Sequence, residues 1–411
     1  MFRLRPRQVR RRVRLFSSPA TGAATLLAAA LLFLNNAMGA TVSWTDGNSN
    51  WDIGTNWSNG TGPGTLDDAL IGNGGTANIT TGTRTVTNLL LGKVNPGGGD
   101  GTLNISAGSL TVSNNVTISS GSNMSGTVTI TGGNLSVGGI ILDGGNGTGT
   151  LTLNGGTLDL TNGSIVADNF NFQSGTLSNV SQFSTTTTSP AVLTKTTAGT
   201  AILSGTNTYT GGTTIAAAGG TLLVNGTTSA TGTMTVNSAG TLGGTGTVGG
   251  AVNVNAGGII NPGPKGTDGT SASVGTLTTG ALTLASTATF HEDAFGTNAA
   301  TAWDKLMVNG TANLGSSTLQ VIIASGLTFI PGTIYTLIDA TALSGTFNGI
   351  ADDQLVTFSG YTFMANYDVA IGNFELVAAV PEPSTWLAAA LALGAIGLSQ
   401  RKRLRGMLKT M

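Results

Sequence analysis

The residues with the clearest capacity for chemistry are His291, Glu292 and Asp293, a histidine followed by two acids. Such a cluster can bind a metal ion or exchange a proton. His291 is the only histidine in the sequence and there is no cysteine, which leaves few nitrogen or sulfur ligands for a metal. A single histidine without such partners is typical of a solvated loop, and we predict a loop here.

Two glycine-rich stretches partly match ligand-binding motifs. Residues 244–249 (GTGTVG) match the dinucleotide fingerprint GxGxxG, but they lie in a β-repeat with no helix predicted after them. Residues 143–149 (DGGNGTG) partly match a calcium-binding nonapeptide and lack its key aspartate. Glycine and asparagine are also expected at the corners of a repetitive β protein. We therefore predict no cofactor and no metal.

Carboxylates that could work as a catalytic pair are scarce. Polysaccharide-cleaving enzymes need clustered acids, or a basic side chain in a groove. The acids here are mostly single, apart from Asp67-Asp68, Glu292-Asp293 and Asp352-Asp353. The sequence therefore predicts a protein that is not an enzyme. The alternative is a polysaccharide-binding or polysaccharide-degrading enzyme on the same scaffold.

Four threonines form a possible contact face, namely Thr127, Thr129, Thr150 and Thr152. They alternate with apolar residues, so they are predicted to point outward in the same phase. This face resembles the threonine face of ice-binding β-helices. The short ladder favours carbohydrate contact over ice, and threonine is also common on any exposed strand.

Three tryptophans open the region after residue 40, at Trp44, Trp51 and Trp57. They could stack against a sugar. The interpretation we favour is a cap, because the open end of a stacked coil exposes both its core and its unpaired backbone.

A threefold repeat between residues 101 and 163 positions these threonines. Its units begin GTLNI, GTVTI and GTLTL, and they are offset by 25 and then 23 residues. Each unit contains three short apolar runs separated by Gly, Asn or Ser. The first run starts at Gly101, Gly126 and Gly149 in the three units, and the second lies at Leu110, Leu135 and Leu158. The third run lies at Val116, Ile140 and Ile165. This period is typical of a coil wound around one axis.

Alternation of apolar and polar residues within each run gives the geometry of the coil. Successive side chains of a strand point to opposite faces, so one apolar column points inward. Stacked coils bury that column and pair their backbones at about 4.8 Å per layer. We therefore predict an all-β protein, a right-handed parallel β-helix (solenoid) with a C-terminal β cap. An N-terminal signal peptide and a C-terminal hydrophobic helix flank it.

Composition and charge agree with this class. Gly reaches 64 of 411 residues, while charged residues make up 9% and aromatic residues 5%. Seven arginines lie between Arg3 and Arg14, and five basic residues lie between Arg401 and Lys409. Residues 41–380 hold five basic and seventeen acidic side chains, a formal charge of −12. Such a body is a poor partner for nucleic acid.

The termini predict export. Residues 1–40 have an arginine-rich start, an apolar run and small residues before a cleavage point, as a secretory signal peptide does. Arg11-Arg12 suggests twin-arginine export, which the surrounding residues do not support. By the positive-inside rule, both basic ends start in the cytoplasm and residues 41–380 lie outside.

Two family resemblances refine this prediction. Residues 193–226 (LTKTTAGTAILSGTNTYTGGTTIAAAGGTLLVNG) resemble the autotransporter-associated β-strand repeat, also called the passenger-associated transport repeat. That resemblance implies a β-helical passenger unit without catalytic residues. The C-terminus resembles a PEP-CTERM sorting signal, with an apolar helix at 386–398 between its two motifs. The motif residues are Pro381, Glu382, Pro383, Arg401, Lys402 and Arg403. The resemblance implies processing by an exosortase, a membrane protease.

The expected organisation is a signal peptide (1–40), an N-terminal cap and first coil (41–100), β-helix repeats (101–276), C-terminal coils and a β cap (277–378), and the sorting signal (380–405). A true autotransporter would need an outer-membrane barrel, which nothing after residue 380 could form. The expected function is that of an exported structural or adhesive protein of the bacterial surface or extracellular matrix. Its predicted partners are the exosortase and the secretion machinery, with polysaccharide or matrix as a further candidate.

Overall fold

A computed structural model of the chain describes residues 39–93, 98–185, 188–264 and 274–379, with the isolated positions Leu391 and Leu393. These residues form 35 β-strands and a 3-10 helix at Gly54–Asn56, so the all-β class is confirmed. Three predicted segments lie outside the described residues: residues 1–38 of the signal peptide, the motif residues of the sorting signal, and all but two residues of the apolar helix.

The strands are short and follow one another closely along the chain. The first sixteen are β1 (Thr41–Ser43), β2 (Asn48–Asn50), β3 (Asp68–Ile71), β4 (Thr76–Ile79), β5 (Thr83–Val86), β6 (Asn88–Leu91), β7 (Gly101–Ile105), β8 (Ser109–Val112), β9 (Val116–Ile118), β10 (Gly126–Ile130), β11 (Asn134–Val137), β12 (Ile141–Asp143), β13 (Gly149–Asp159), β14 (Ser164–Val166), β15 (Asn169–Ser178) and β16 (Gln182–Ser184).

The remaining strands continue the series at a similar spacing. They are β17 (Leu193–Lys195), β18 (Thr200–Ser204), β19 (Thr213–Ile215), β20 (Gly220–Val224), β21 (Thr227–Thr228), β22 (Met234–Val236), β23 (Gly240–Gly244), β24 (Thr247–Val248), β25 (Val252–Val254), β26 (Ile259–Pro262), β27 (Thr276–Thr279), β28 (Leu282–Leu284), β29 (Thr289–Ala294), β30 (Lys305–Asn313), β31 (Thr318–Ile323), β32 (Ile334–Ser344), β33 (Leu355–Phe358), β34 (Tyr361–Asp368) and β35 (Asn373–Ala378).

The strands pair in three parallel ladders, because each strand bonds to the equivalent strand of the next coil. The first ladder runs through β2, β4, β7, β10, β13, β15, β17, β19, β22, β25, β28 and β30. The second runs through β5, β8, β11, β13, β15, β18, β20, β23, β26, β29 and β31. The third has two parts, β1, β3, β6, β9, β12, β14 and β16, and then β21, β24, β27, β30 and β32.

One hydrophobic core joins the three ladders. Within β10 the residues alternate between buried and half-buried, as the alternation of the sequence predicts. Val128 pairs with Leu103 and Leu151, and all three belong to a single buried cluster with residues of the other two ladders. The parallel solenoid class therefore rests on both pairing and burial.

One inward position differs from the prediction. Ile141, rather than Ile140, pairs with Val116 and Ile165 and is completely buried, whereas Ile140 is 37% exposed. The reason is that the corner has the same length in both coils. Val112 pairs with Val137, and the next inward residue follows four positions later in each coil, at Val116 and at Ile141.

The positions that open each repeat require glycine because other segments of the same backbone approach them closely. A β-carbon on Gly101 would lie 2.0 Å from the carbonyl oxygen of Ile71, and one on Gly126 would lie 2.5 Å from the backbone nitrogen of Ser119. Neither glycine has a positive φ. The Gly-Thr signature of the repeat therefore marks a corner where adjacent coils touch.

The parallel pairing of the coil extends to the start of the segment predicted as cap and first coil (41–100). There β1 and β2 already pair with β3 and β4. The three tryptophans pack at this end of the core, and only 2–3% of each is exposed. The ring of Trp57 lies edge-on to those of Trp44 and Trp51, at centroid distances of 5.0 and 4.7 Å. The buried rings support the cap interpretation, because no ring face is free for a sugar.

The C-terminal end changes from parallel to antiparallel pairing. β32 pairs with β30 in parallel and with β35 in antiparallel fashion, and β34 and β33 follow as a meander. Aromatic rings fill the space beside it, with Trp303 stacked on Tyr335 at 4.5 Å and edge-on to Phe363 at 5.8 Å.

Candidate functional site

The predicted contact face lies on the outer side of the first ladder. Thr127 pairs with Thr150 and Thr129 pairs with Thr152, in the register that the repeat predicts. All four side chains are half-buried between their neighbours in the ladder, so part of each remains open to solvent. Their alignment is therefore confirmed, and their role in contact stays a prediction.

The structure extends this face far beyond the four threonines. Strand pairing carries one outward position through twelve rungs, in which every residue is Asn or Thr. We call this the Asn/Thr column: Asn50, Asn78, Asn104, Thr129, Thr152, Asn171, Thr194, Thr214, Thr235, Asn253, Thr283 and Asn313. A second, shorter column runs beside its first half: Asn48, Thr76, Thr102, Thr127, Thr150 and Asn169.

The contact face predicted from the sequence covers only the two rungs in which both columns are threonine. In the four other rungs that contain both columns, at least one residue is asparagine. Beyond residue 193 the ladder continues through strands of only three residues, β17, β19, β22, β25 and β28, before it reaches β30. The signal that could have extended the column is the outward Asn or Thr between two buried residues. It recurs at Thr194, Thr214, Thr235 and Asn253.

Hydrogen bonds between rungs fix several of these side chains. The Asn78 amide donates to Asn48 Oδ1 at 2.7 Å, and the Asn104 amide donates to Asn78 Oδ1 at 3.1 Å. Further along, the Asn171 amide donates to Thr152 Oγ1 at 3.1 Å. The column is therefore an ordered row of polar groups.

The His291 region is buried, so our prediction of a solvated loop is wrong. His291, Glu292 and Asp293 lie in β29 and are 2%, 0% and 3% exposed. β29 has neighbours on both sides, β26 and β31, which shield it from solvent. Asp304 joins the three residues, because its backbone N–H donates to the Asp293 carbonyl at 3.1 Å.

The electrostatics of this buried acid cluster favour protonated carboxyls. Burial raises the pKa of Glu292 well above its usual range, and the negative charges of Asp304 and Asp293 add to the rise. Neither carboxyl oxygen of Glu292 has a hydrogen-bond partner within the described parts of the chain. Burial also raises the pKa of Asp304 to about 7, although its Oδ1 accepts a hydrogen bond from the Gly275 N–H at 2.7 Å.

A cleft of about 360 Å³ lies next to this cluster. Trp303, Asp304, Lys305, Thr276 and Thr336 contribute to its lining. Lys305 is committed to an ion pair with Asp339, at 2.7 Å between Nζ and Oδ2. Acids with a raised pKa beside a cleft are features of active sites. Here Asp304 is only 2% exposed, so almost none of its surface reaches the cleft.

The motif matches in the glycine-rich stretches fall on β-strands and corners. Residues 244–249 run from the end of β23 into β24, without a helix, which removes the phosphate-binding context. Asp143 Oδ2 accepts a hydrogen bond from the Gly149 N–H at 2.9 Å, so this side chain stabilises the corner between residues 143 and 149. Among the described residues, no group of three or more His, Cys, Asp or Glu side chains is placed to hold a metal ion.

A lysine interrupts the apolar core, which the alternation of apolar and polar residues does not predict. Lys195 occupies the inward position between Phe172 and Ile215, and it is completely buried. Its Nζ donates to the backbone carbonyls of Thr197 and Gly219, the latter at 2.7 Å. Burial lowers the pKa of Lys195 to about 8.

Lys195 should make stability depend on alkaline pH. Its folded pKa is below its unfolded value of about 10.4, so the unfolded state binds more protons between those values. We expect wild-type stability to rise by up to about 3 kcal/mol from pH 8 to 10.5, relative to Lys195→Met. Urea denaturation of both proteins across this range measures the difference. Parallel pH profiles would contradict the prediction.

No family model matches this chain, and no curated protein matches its sequence. Among the described residues, no helix combines the length and apolar character needed to cross a bilayer.

Proposed function

We propose that the protein is exported and sorted to the bacterial surface, where it serves as a non-enzymatic structural or adhesive β-helix. The observation that carries this proposal is the stacking of three parallel ladders around one hydrophobic core. Nearly every inward side chain serves packing, and the outer face of the first ladder offers a long polar surface for contact.

The finer parts of the proposal come from the sequence. The coil is right-handed, and the antiparallel meander β33–β35 is its C-terminal cap. An exosortase recognises Pro381, Glu382 and Pro383 with the basic cluster Arg401, Lys402 and Arg403. The chain is transiently anchored in the inner membrane by residues 386–398 before it reaches the cell surface, outer membrane or matrix.

Labelling of intact cells tests the surface location. Residues 41–380 contain four lysines, of which Lys195 is completely buried and Lys305 is 32% exposed in its side chain. A membrane-impermeant amine reagent should therefore modify Lys305 in intact cells, with Lys195 as the unreactive internal control. Labelling of Lys305 only after lysis would contradict the surface location.

The cleft beside Asp304 supports a second candidate, a polysaccharide-degrading enzyme on the same scaffold. It places an acid of raised pKa next to Trp303 and Lys305. Incubation with uronate and glucan polymers, followed by chain-length analysis, distinguishes the two. The structural proposal expects unchanged polymer length. Shortening that disappears in Asp304→Asn would establish the enzyme.

A further inference from the structure

The length of the Asn/Thr column indicates an extended ligand. Twelve rungs at about 4.8 Å per rung give a row roughly 50 Å long. Small ligands bind in concave pockets, whereas this row lies on the outer side of a ladder. A row of repeated, individually weak contacts gains affinity when its partner repeats along the same direction.

The chemistry of the column indicates a neutral, hydroxyl-rich partner. None of the eighteen residues in the two columns is ionisable. Each amide or hydroxyl can both donate and accept a hydrogen bond, as a sugar hydroxyl can. An anionic polymer would be repelled by a body of formal charge −12, and a cationic polymer would find no carboxylate in the row.

The fixed geometry of the column lowers the cost of binding. The bonds from Asn78 to Asn48, from Asn104 to Asn78 and from Asn171 to Thr152 restrict these side chains before any partner arrives. Less side-chain entropy is then lost on association.

The column suits a linear polymer better than an ice surface. An ice plane repeats in two directions, but the second column accompanies the first only as far as Asn169. The row also alternates irregularly between Asn and Thr, so its donors and acceptors are not evenly placed. A flexible chain of sugars can follow such a row.

We propose that the Asn/Thr column binds a neutral polysaccharide that lies along the axis of the coil. This inference rests on the proposed surface role and names its partner. No covalent step is involved.

Affinity electrophoresis of the purified full chain tests the proposal, with hydroxyethyl cellulose as the neutral probe and alginate as the anionic probe. We expect hydroxyethyl cellulose to retard the protein and alginate not to. The combined variant Thr127→Val, Thr129→Val, Thr150→Val and Thr152→Val keeps side-chain shape and removes four hydroxyls, and we expect at least tenfold weaker binding to the glucan.

A matched control makes the same change on the outer side of the second ladder. Thr85 pairs there with Thr111, and Thr83 and Thr157 lie in the neighbouring outward column. The combined change of these four threonines to Val should leave binding unaltered. Equal loss in both variants, preference for alginate, or no retardation by either polymer would overturn the proposal. Inhibition of ice recrystallisation without glucan binding would overturn the proposal and indicate that the column binds ice. Failure of surface labelling would instead overturn the proposed location, because binding in vitro does not depend on it.

Discussion

Replacing Trp57 with alanine should lower the free energy of unfolding by about 3–5 kcal/mol, the usual cost of removing a buried tryptophan. Trp57 lies between the rings of Trp44 and Trp51, and its Nε1 donates to the Trp51 carbonyl at 2.8 Å. Its loss opens the N-terminal end of the core to water. Because each coil contacts mainly its neighbours, unfolding should then begin at this end.

Trp57→Phe is the matched control for this prediction. It keeps an aromatic ring in the cap and removes the indole hydrogen bond, so we expect it to retain more stability than Trp57→Ala. Urea denaturation gives both free energies, and hydrogen exchange locates the loss. A change below about 1 kcal/mol for Trp57→Ala, or uniform loss of protection along the coil, would contradict the cap.

The second large effect that we expect is a pH-dependent contribution of Asp304 to folding stability, which is greatest in acid. Its pKa of about 7 in the folded chain exceeds its unfolded value, so the folded state binds more protons as pH rises from about 4 to 7. This contribution to stability is complete at low pH. It is lost as pH rises through that window, by up to about 4 kcal/mol. Burial opposes the ionisation of Asp304 most strongly, and the negative charge of Asp293 adds to this effect.

Asp304→Asn separates this effect from other titrations. The amide oxygen can still accept the Gly275 N–H, while the carboxyl charge is removed. We expect the variant to be less sensitive to pH between 4 and 7 and more stable than wild type at pH 8. Thermal unfolding across this range provides the comparison. A difference between the two proteins that does not change with pH would show that Asp304 does not titrate there.

The core of the coil could be predicted from the sequence because its cause is local. Alternation within β7, β10 and β13 decides which side chains point inward, and the repeat period decides which rungs pair. The outward positions of Thr127, Thr129, Thr150 and Thr152 follow from the same alternation.

The misplaced features depend on contacts distant in sequence. His291 is buried because β26, about 30 residues earlier, and β31, about 30 residues later, pack on either side of its strand. Asp304 reaches the same cluster after a turn that begins beyond β29. Lys195 fits an inward position only because two backbone carbonyls meet its Nζ there. The partners of His291 and Asp304 lie outside their own strands, and for Lys195 the alternation of apolar and polar residues does not show where the carbonyls of Thr197 and Gly219 point.

We propose that residues 41–380 reach the cell surface as a coil freed from both terminal segments. Mass spectrometry of the mature protein, isolated from cells that make it, tests this most directly. We predict an N-terminus near Ala40 and a C-terminus near Pro381–Pro383, with residues 386–398 removed. A mature chain that retains Trp386 to Leu398 would contradict sorting by an exosortase and would indicate a membrane-tethered protein.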